Sequence, residues 1–106
     1  METPPYLQDS AMTGQTLRRT VTITNPQGLH MRPITAFVEM ASRFQSQVFL
    51  SKEPGQRING KSPLALLGLA AEQGTQLTLE ISGPDEQAAL EALVEFLANV
   101  RTEEES

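Results

Sequence analysis

A chain of 106 residues, 39% hydrophobic and 20% charged, is long enough for one small domain with a real core and too short for two ordinary ones, and its composition excludes collagen-like, coiled-coil and wholly disordered classes. With no cysteine and a single histidine, disulfide scaffolds, thiolate zinc sites, iron–sulfur clusters and cysteine nucleophiles drop out together, and neither a metal nor a cofactor is expected. The net charge of −5, with Arg and Lys scattered, argues against a nucleic-acid footprint and directs attention to a protein or small-molecule partner.

Residues 1–16 carry Pro4, Pro5 and Gly14 among polar residues with no apolar period, and read as a flexible leader outside the fold. They show no basic start followed by an apolar run, as a secretory signal requires. The longest strongly apolar stretch, Leu64 to Ala71, is far below the ~20 residues of a membrane-spanning helix, so no membrane insertion and a cytoplasmic location are expected.

Over Arg19–Thr24, Val21 and Ile23 alternate with threonines, the pattern of a strand with one buried face. Asn25-Pro26-Gln27-Gly28 then breaks it into a turn that leads to His30. Ile34, Phe37, Val38, Ala41 and Phe44 fall at helical spacing, and Pro33 suits a first turn, so a helix is expected from about Met31. Gln47–Ser51 and Arg57–Asn59 are short strands joined by a turn rich in Glu, Pro and Gly, and should form a hairpin. Ser62-Pro63 places an N-cap residue before a proline at the first helical position, and opens a short leucine-rich helix.

Thr75–Ser82 alternates cleanly, with Leu77, Leu79 and Ile81 on one face, and should be a central or well-paired strand. Pro84 opens a last helix with Asp85 and Glu86 near its positive end. Ala89, Leu90, Leu93, Phe96, Leu97 and Val100 line its apolar face, opposite Glu91 and Glu95. Residues 101–106 form a short acidic tail. The order βαββαβα predicts an α+β fold over residues 17–100, with helices on one face of an antiparallel sheet; pattern alone leaves ferredoxin-like and other α+β topologies open.

The chemistry concentrates in Gly28-Leu29-His30-Met31-Arg32-Pro33. A loop delivers one imidazole to a helix start, where backbone N–H groups lack partners and the macrodipole is positive, and a guanidinium follows two residues later; this arrangement suits an anion. Neutral imidazole is nucleophilic near pH 7 and leaves again readily, so a phosphoryl group taken up on His30 can be passed on. The plainer alternative is that His30 caps a helix and Arg32 lies in solvent.

These six residues closely resemble the Gly-Leu-His-x-Arg-Pro motif of the HPr family, the histidine phosphocarriers of the phosphoenolpyruvate-dependent phosphotransferase system. Asn59-Gly60-Lys61-Ser62, the leucine-rich helix, Gln73-Gly74-Thr75 and the last helix follow the family's order and spacing. The resemblance implies an open-faced sandwich, a four-stranded antiparallel sheet covered on one face by three helices. It implies that His30 is phosphorylated through Nδ1, receiving the group from enzyme I and passing it to a histidine on a IIA protein or domain, with Arg32 as the active-site arginine. Ser62 matches the serine that many members present to an ATP-dependent HPr kinase/phosphorylase, and Leu64 and Leu67, extended by Met31, match the docking surface; Leu66 and Leu69 are assigned to the core.

By this resemblance the chain is a monomeric, stoichiometric phosphohistidine carrier in bacterial sugar transport rather than a turnover enzyme. Departures from the family's pattern bear on partner identity: Gln27, Ile34, Thr35, Glu39 and Ser42 replace commoner residues, and charge on a docking helix selects its partners. Two other functions compete. One is a regulatory protein, controlled through Ser62 or serving a nitrogen-type branch, that binds a kinase or transcriptional regulator. The other is a small-molecule sensor, for which the sequence shows no pocket.

Overall fold

The chain runs through β1 (Leu17–Thr22), α1 (Met31–Ser42), β2 (Gln47–Ser51), β3 (Ile58–Asn59), α2 (Pro63–Leu69), β4 (Gln76–Ser82) and α3 (Glu86–Ala98). The computed structural model describes residues 16–100, so all of the leader but Thr16, and the acidic tail, lie outside the described residues. The strands form one antiparallel sheet in the order β1-β4-β2-β3, and the helices cover one face. The molecule is an open-faced α+β sandwich, as expected.

Register follows from the alternation of apolar residues. Val21 pairs with Leu77, Leu50 with Leu79 and Val48 with Ile81, which puts all six on the same side of the pleat, each at most 6% exposed. β4 is central, paired on both sides. Ile34, Phe37 and Ala41 of α1, Leu66 and Leu69 of α2, and Ala89, Leu90, Leu93 and Leu97 of α3 close the core against these strands. Phe37 and Phe96 meet with tilted rings, centroids 6.1 Å apart, and join α1 to α3.

The uncovered face of the sheet is polar and internally paired. Glu80 of β4 accepts from Arg18 Nε at 3.0 Å and Arg57 Nε at 3.2 Å, and the Arg57 guanidinium lies 3.9 Å over the Phe49 ring. The hydrogen bond from Arg18, with the charges of both arginines, holds the Glu80 carboxyl below its usual range against the opposing effect of burial.

Boundaries shift where side-chain pattern and backbone pairing part company. β1 spans Leu17–Thr22 rather than Arg19–Thr24: its last register pair is Thr22 with Gln76, and Ile23 beyond it bonds to the turn before β4 through Gly74 and Thr75. Leu17 extends it at the other end by pairing with Ile81, and Arg19 sits exposed on this edge strand although its register is that of the core. β4 begins at Gln76 rather than Thr75, and β3 at Ile58 rather than Arg57. α3 begins at Glu86, not at Pro84, because Asp85 stands as its N-cap with a non-helical backbone. Val38 and Phe44, read as part of the apolar face of α1, are only partly buried.

Candidate functional site

His30 is the N-cap of α1, in extended conformation (φ −105°, ψ −172°), and its side chain makes no capping hydrogen bond. The simple capping role is therefore absent. Of the two ring nitrogens, Nε2 is buried and has no hydrogen-bond partner among the described residues, which leaves Nδ1 as the nitrogen open to a partner. At the helix start Pro33 has no N–H to give, and the Ile34 N–H donates to His30 O at 3.0 Å. An anion held at Nδ1 would therefore meet the amides of Met31 and Arg32, at the positive end of the helix.

The loop that carries His30 is held from two directions. Within it, Asn25 is buried; its Nδ2 donates to Gly28 O at 2.8 Å and its own carbonyl accepts from the Gly28 N–H at 3.0 Å. From outside, the segment between α2 and β4 grips it: Leu29 N–H donates to Ala71 O at 2.8 Å, Gly74 N–H to Ile23 O at 2.7 Å, Ile23 N–H to Thr75 O at 2.9 Å, and Gln73 Nε2 to Thr24 O at 3.0 Å. Gly28 is required at this crossing. Its φ is +67°, and a Cβ there would come within 2.4 Å of Ala71 O.

His30, Met31, Arg32, Thr35, Ala36 and Glu39 line one open groove along the exposed side of α1. On α2, Leu64 and Leu67 are 81% and 46% exposed and Met31 on α1 is 51% exposed, whereas Leu66 and Leu69 are buried. These outward residues are the large exposed apolar side chains among the described residues. Ser62 is half-buried as the N-cap of α2, its Oγ accepting from the Ala65 N–H at 3.2 Å, and Pro63 follows at the first helical position.

Of the supports of the site, the Asn25–Gly28 turn and Gln73-Gly74-Thr75 stand out in the sequence, and the rest do not. The grip of residues 71–75 on the His30 loop rests mainly on backbone groups, which leave no residue signature. Two lysines close helix ends from afar: Lys61 Nζ donates to Phe44 O at 2.8 Å just past α1, and Lys52 Nζ to Leu69 O at 2.9 Å at the end of α2. At 17 residues' separation no helical or strand period connects these partners.

The family model described as the PTS HPr component phosphorylation site matches residues 17–99. The phosphocarrier protein HPr of Cupriavidus necator is 42% identical over 83 residues, covering 78% of this chain and 92% of that protein. The HPr-like protein Crh of Bacillus subtilis is 47% identical over 70 residues, 66% of this chain and 81% of that one. The crystal structure of the phosphocarrier protein HPr from Bacillus anthracis superimposes with a TM-score of 0.72 at 33% identity, covering 77% of this chain and 96% of that one. A family match across the whole described sandwich, joined to relatives above 40% identity, shows that this chain belongs to the HPr family of phosphocarriers of the phosphotransferase system.

Proposed function

We propose that the chain shuttles phosphoryl groups between cytoplasmic proteins, in sugar uptake or its regulation. His30 Nδ1 attacks the phosphorus of phospho-enzyme I, a new N–P bond forms as the donor's bond to phosphorus breaks, and a histidine of a IIA protein or domain then takes the group by the same displacement. The observation that carries this reading is His30 at the start of α1 with its Nε2 buried and so only Nδ1 open to react, and Arg32 lining the same groove. Neutral imidazole needs no base to deprotonate it before attack. Arg32 and the first amides of α1 then hold the phosphoryl oxygens.

The size of these effects suits a carrier. A helix terminus contributes ~0.3–1 kcal/mol to a nearby charge and up to ~2 when partly buried, and a charged hydrogen bond about 1.5–3 kcal/mol. Much tighter holding would raise the barrier to onward transfer. Met31, Leu64 and Leu67 form the docking surface, since apolar side chains this exposed are desolvated when a partner covers them.

A second reading is favoured by one observation, the likeness to HPr-like proteins named Crh: a regulatory protein in which Ser62 receives phosphate from an ATP-dependent kinase and the modified face meets a transcriptional regulator. About two negative charges at the start of α2 are locally tolerated, so the effect would fall on docking. Incubation with enzyme I and phosphoenolpyruvate separates the readings. Acid-labile phosphate that is lost in His30→Ala supports the carrier, and no labelling by the organism's own enzyme I sinks it. Acid-stable phosphate after incubation with ATP and HPr kinase, lost in Ser62→Ala, supports the regulatory use.

A further inference from the structure

The groove that begins at His30 continues for two turns of α1 and ends at a carboxylate. Its lining residues are His30, Met31, Arg32, Thr35, Ala36 and Glu39. The Thr35 hydroxyl donates to Met31 O at 2.9 Å, so this residue offers the groove mainly its methyl group. Between the two charged residues the stripe is thus largely apolar, and Leu64 and Leu67 on α2 are exposed apolar side chains as well. Arg32 and Glu39 are seven positions apart, about 10 Å along the axis at 1.5 Å per residue.

Arg32 has a task in the carrier reading, on which this inference rests, because it faces the transferring anion. Glu39 has none. It is exposed, and its carboxylate makes no ion pair or hydrogen bond among the described residues; Glu53, Glu72 and Glu95 are likewise exposed without a side-chain partner there, and what sets Glu39 apart is that it lines the groove of His30. A partner that seats its phosphohistidine against His30 and follows the groove from Met31 reaches Glu39, which lines the same groove. A carboxylate left there against an apolar or acidic surface is penalised, and one met by a cation is not.

We propose that Glu39 is a specificity residue of the docking face. The proteins that exchange phosphoryl groups with His30 place a basic side chain opposite it, about two and a half helical turns from the transferring histidine, beside an apolar patch that receives Met31, Leu64 and Leu67. The fitting partner is therefore a protein with a basic residue at the rim of an apolar surface, not one with an acidic belt. Because Glu39 is exposed, the attraction acts mainly on encounter and weakens with salt.

The test is the KM of this chain as phosphoryl acceptor from its own enzyme I, measured from low to high salt for the wild type, Glu39→Gln, Glu39→Lys and, as a control of equal charge change elsewhere, Glu91→Lys on α3. Glu39→Lys is expected to raise KM about tenfold at low salt with kcat unchanged. Glu39→Gln should fall between and flatten the salt dependence, and Glu91→Lys should stay near the wild type. An unchanged or lowered KM in Glu39→Lys overturns the assignment, as does an equal rise in Glu91→Lys, which would report net charge alone. Failure of the wild type to accept phosphate would instead overturn the carrier reading, so the two failures are distinguishable.

Discussion

The carboxylate of Asp85 joins the start of α3 to the segment before β2: its Oδ1 accepts from the hydroxyl of Ser46 and, at 2.9 Å, from the Ser46 N–H, while its Oδ2 accepts from the Gln45 N–H at 2.9 Å. The Ser46 hydroxyl bond, followed by the Gln45 amide, holds the Asp85 carboxyl below its ordinary 3.8. Ser46 is itself buried, and Gly83 lies against it so closely that a Cβ at Gly83 would come within 2.5 Å of Ser46 Cα.

This bond has a pH signature. A carboxyl whose folded value is depressed stabilises the fold above its unfolded value and loses that contribution as pH falls through the folded one. The stabilisation from Asp85 is thus complete well above 3.8 and fades below it. Asp85→Asn and Ser46→Ala should each lower Tm at neutral pH, and their deficit relative to the wild type should shrink in thermal melts taken at progressively lower pH below that value. A deficit independent of pH in both variants would show that the charge on Asp85 is not what the contact uses.

Ala70, at the end of α2, is the non-glycine residue with positive φ among the described residues (φ 54°, ψ 51°), and its N–H donates to Leu67 O at 3.2 Å. A left-handed conformation costs an L-residue roughly 1–2 kcal/mol, and glycine returns part of that gain through its looser unfolded state. Ala70→Gly should stabilise the protein by about 0.5–1 kcal/mol, read as a higher urea midpoint at unchanged slope. A lower midpoint would mean that the Ala70 methyl does more in packing than its backbone strain removes.

Much of this molecule is written in local patterns. Leu77, Leu79 and Ile81 declare β4, and Ser62-Pro63 declares the start of α2, because burial of one strand face and capping of a helix are decided by residues adjacent in the chain. His30 and Arg32 stand out by chemical type and spacing. What is not legible depends on groups distant in sequence. By its position Asp85 is an acid placed for the helix dipole, but it bonds to Gln45 and Ser46 and stands as the N-cap of a helix that starts at Glu86. The contact of Leu29 N–H with Ala71 O uses atoms that every residue carries. The left-handed turn at Ala70 has no glycine to announce it, and the place of Glu39 in the groove of His30 needs the whole groove to be seen.

Gly28 is where the support of His30 is most sensitive to substitution. Its φ of +67° and the 2.4 Å that would separate an added Cβ from Ala71 O mean that Gly28→Ala must both strain the backbone and push apart the two segments that hold the loop. The cost should be at least about 2 kcal/mol, from left-handed strain combined with the lost backbone contacts. Asn25→Ala removes only the side-chain bond to Gly28 O and should cost about 1 kcal/mol. In both variants, phosphoryl acceptance by His30 should slow more than the KM for enzyme I rises. Stability equal to wild type in Gly28→Ala would contradict so close a crossing of the two segments.

Leu64 and Leu66 lie two residues apart on α2 and face opposite environments, 81% and 1% exposed, so the same substitution at the two positions separates docking from folding. Leu66→Ala opens a cavity in the core and should cost roughly 2–5 kcal/mol, lowering the urea midpoint while leaving the KM of the folded fraction for enzyme I near the wild type. Leu64→Ala exposes no core and should change stability by less than about 0.5 kcal/mol. If Leu64 anchors the partner, its loss should raise KM about tenfold, the effect of removing an anchor of ~1–2 kcal/mol at a rate of ~1.4 kcal/mol per decade. Amide shifts on titration with enzyme I should weaken around α2 in this variant and persist around His30. A Leu64→Ala protein that is as stable as the wild type and equally good as an acceptor would remove Leu64 from the docking surface and leave its exposure on α2 without a function.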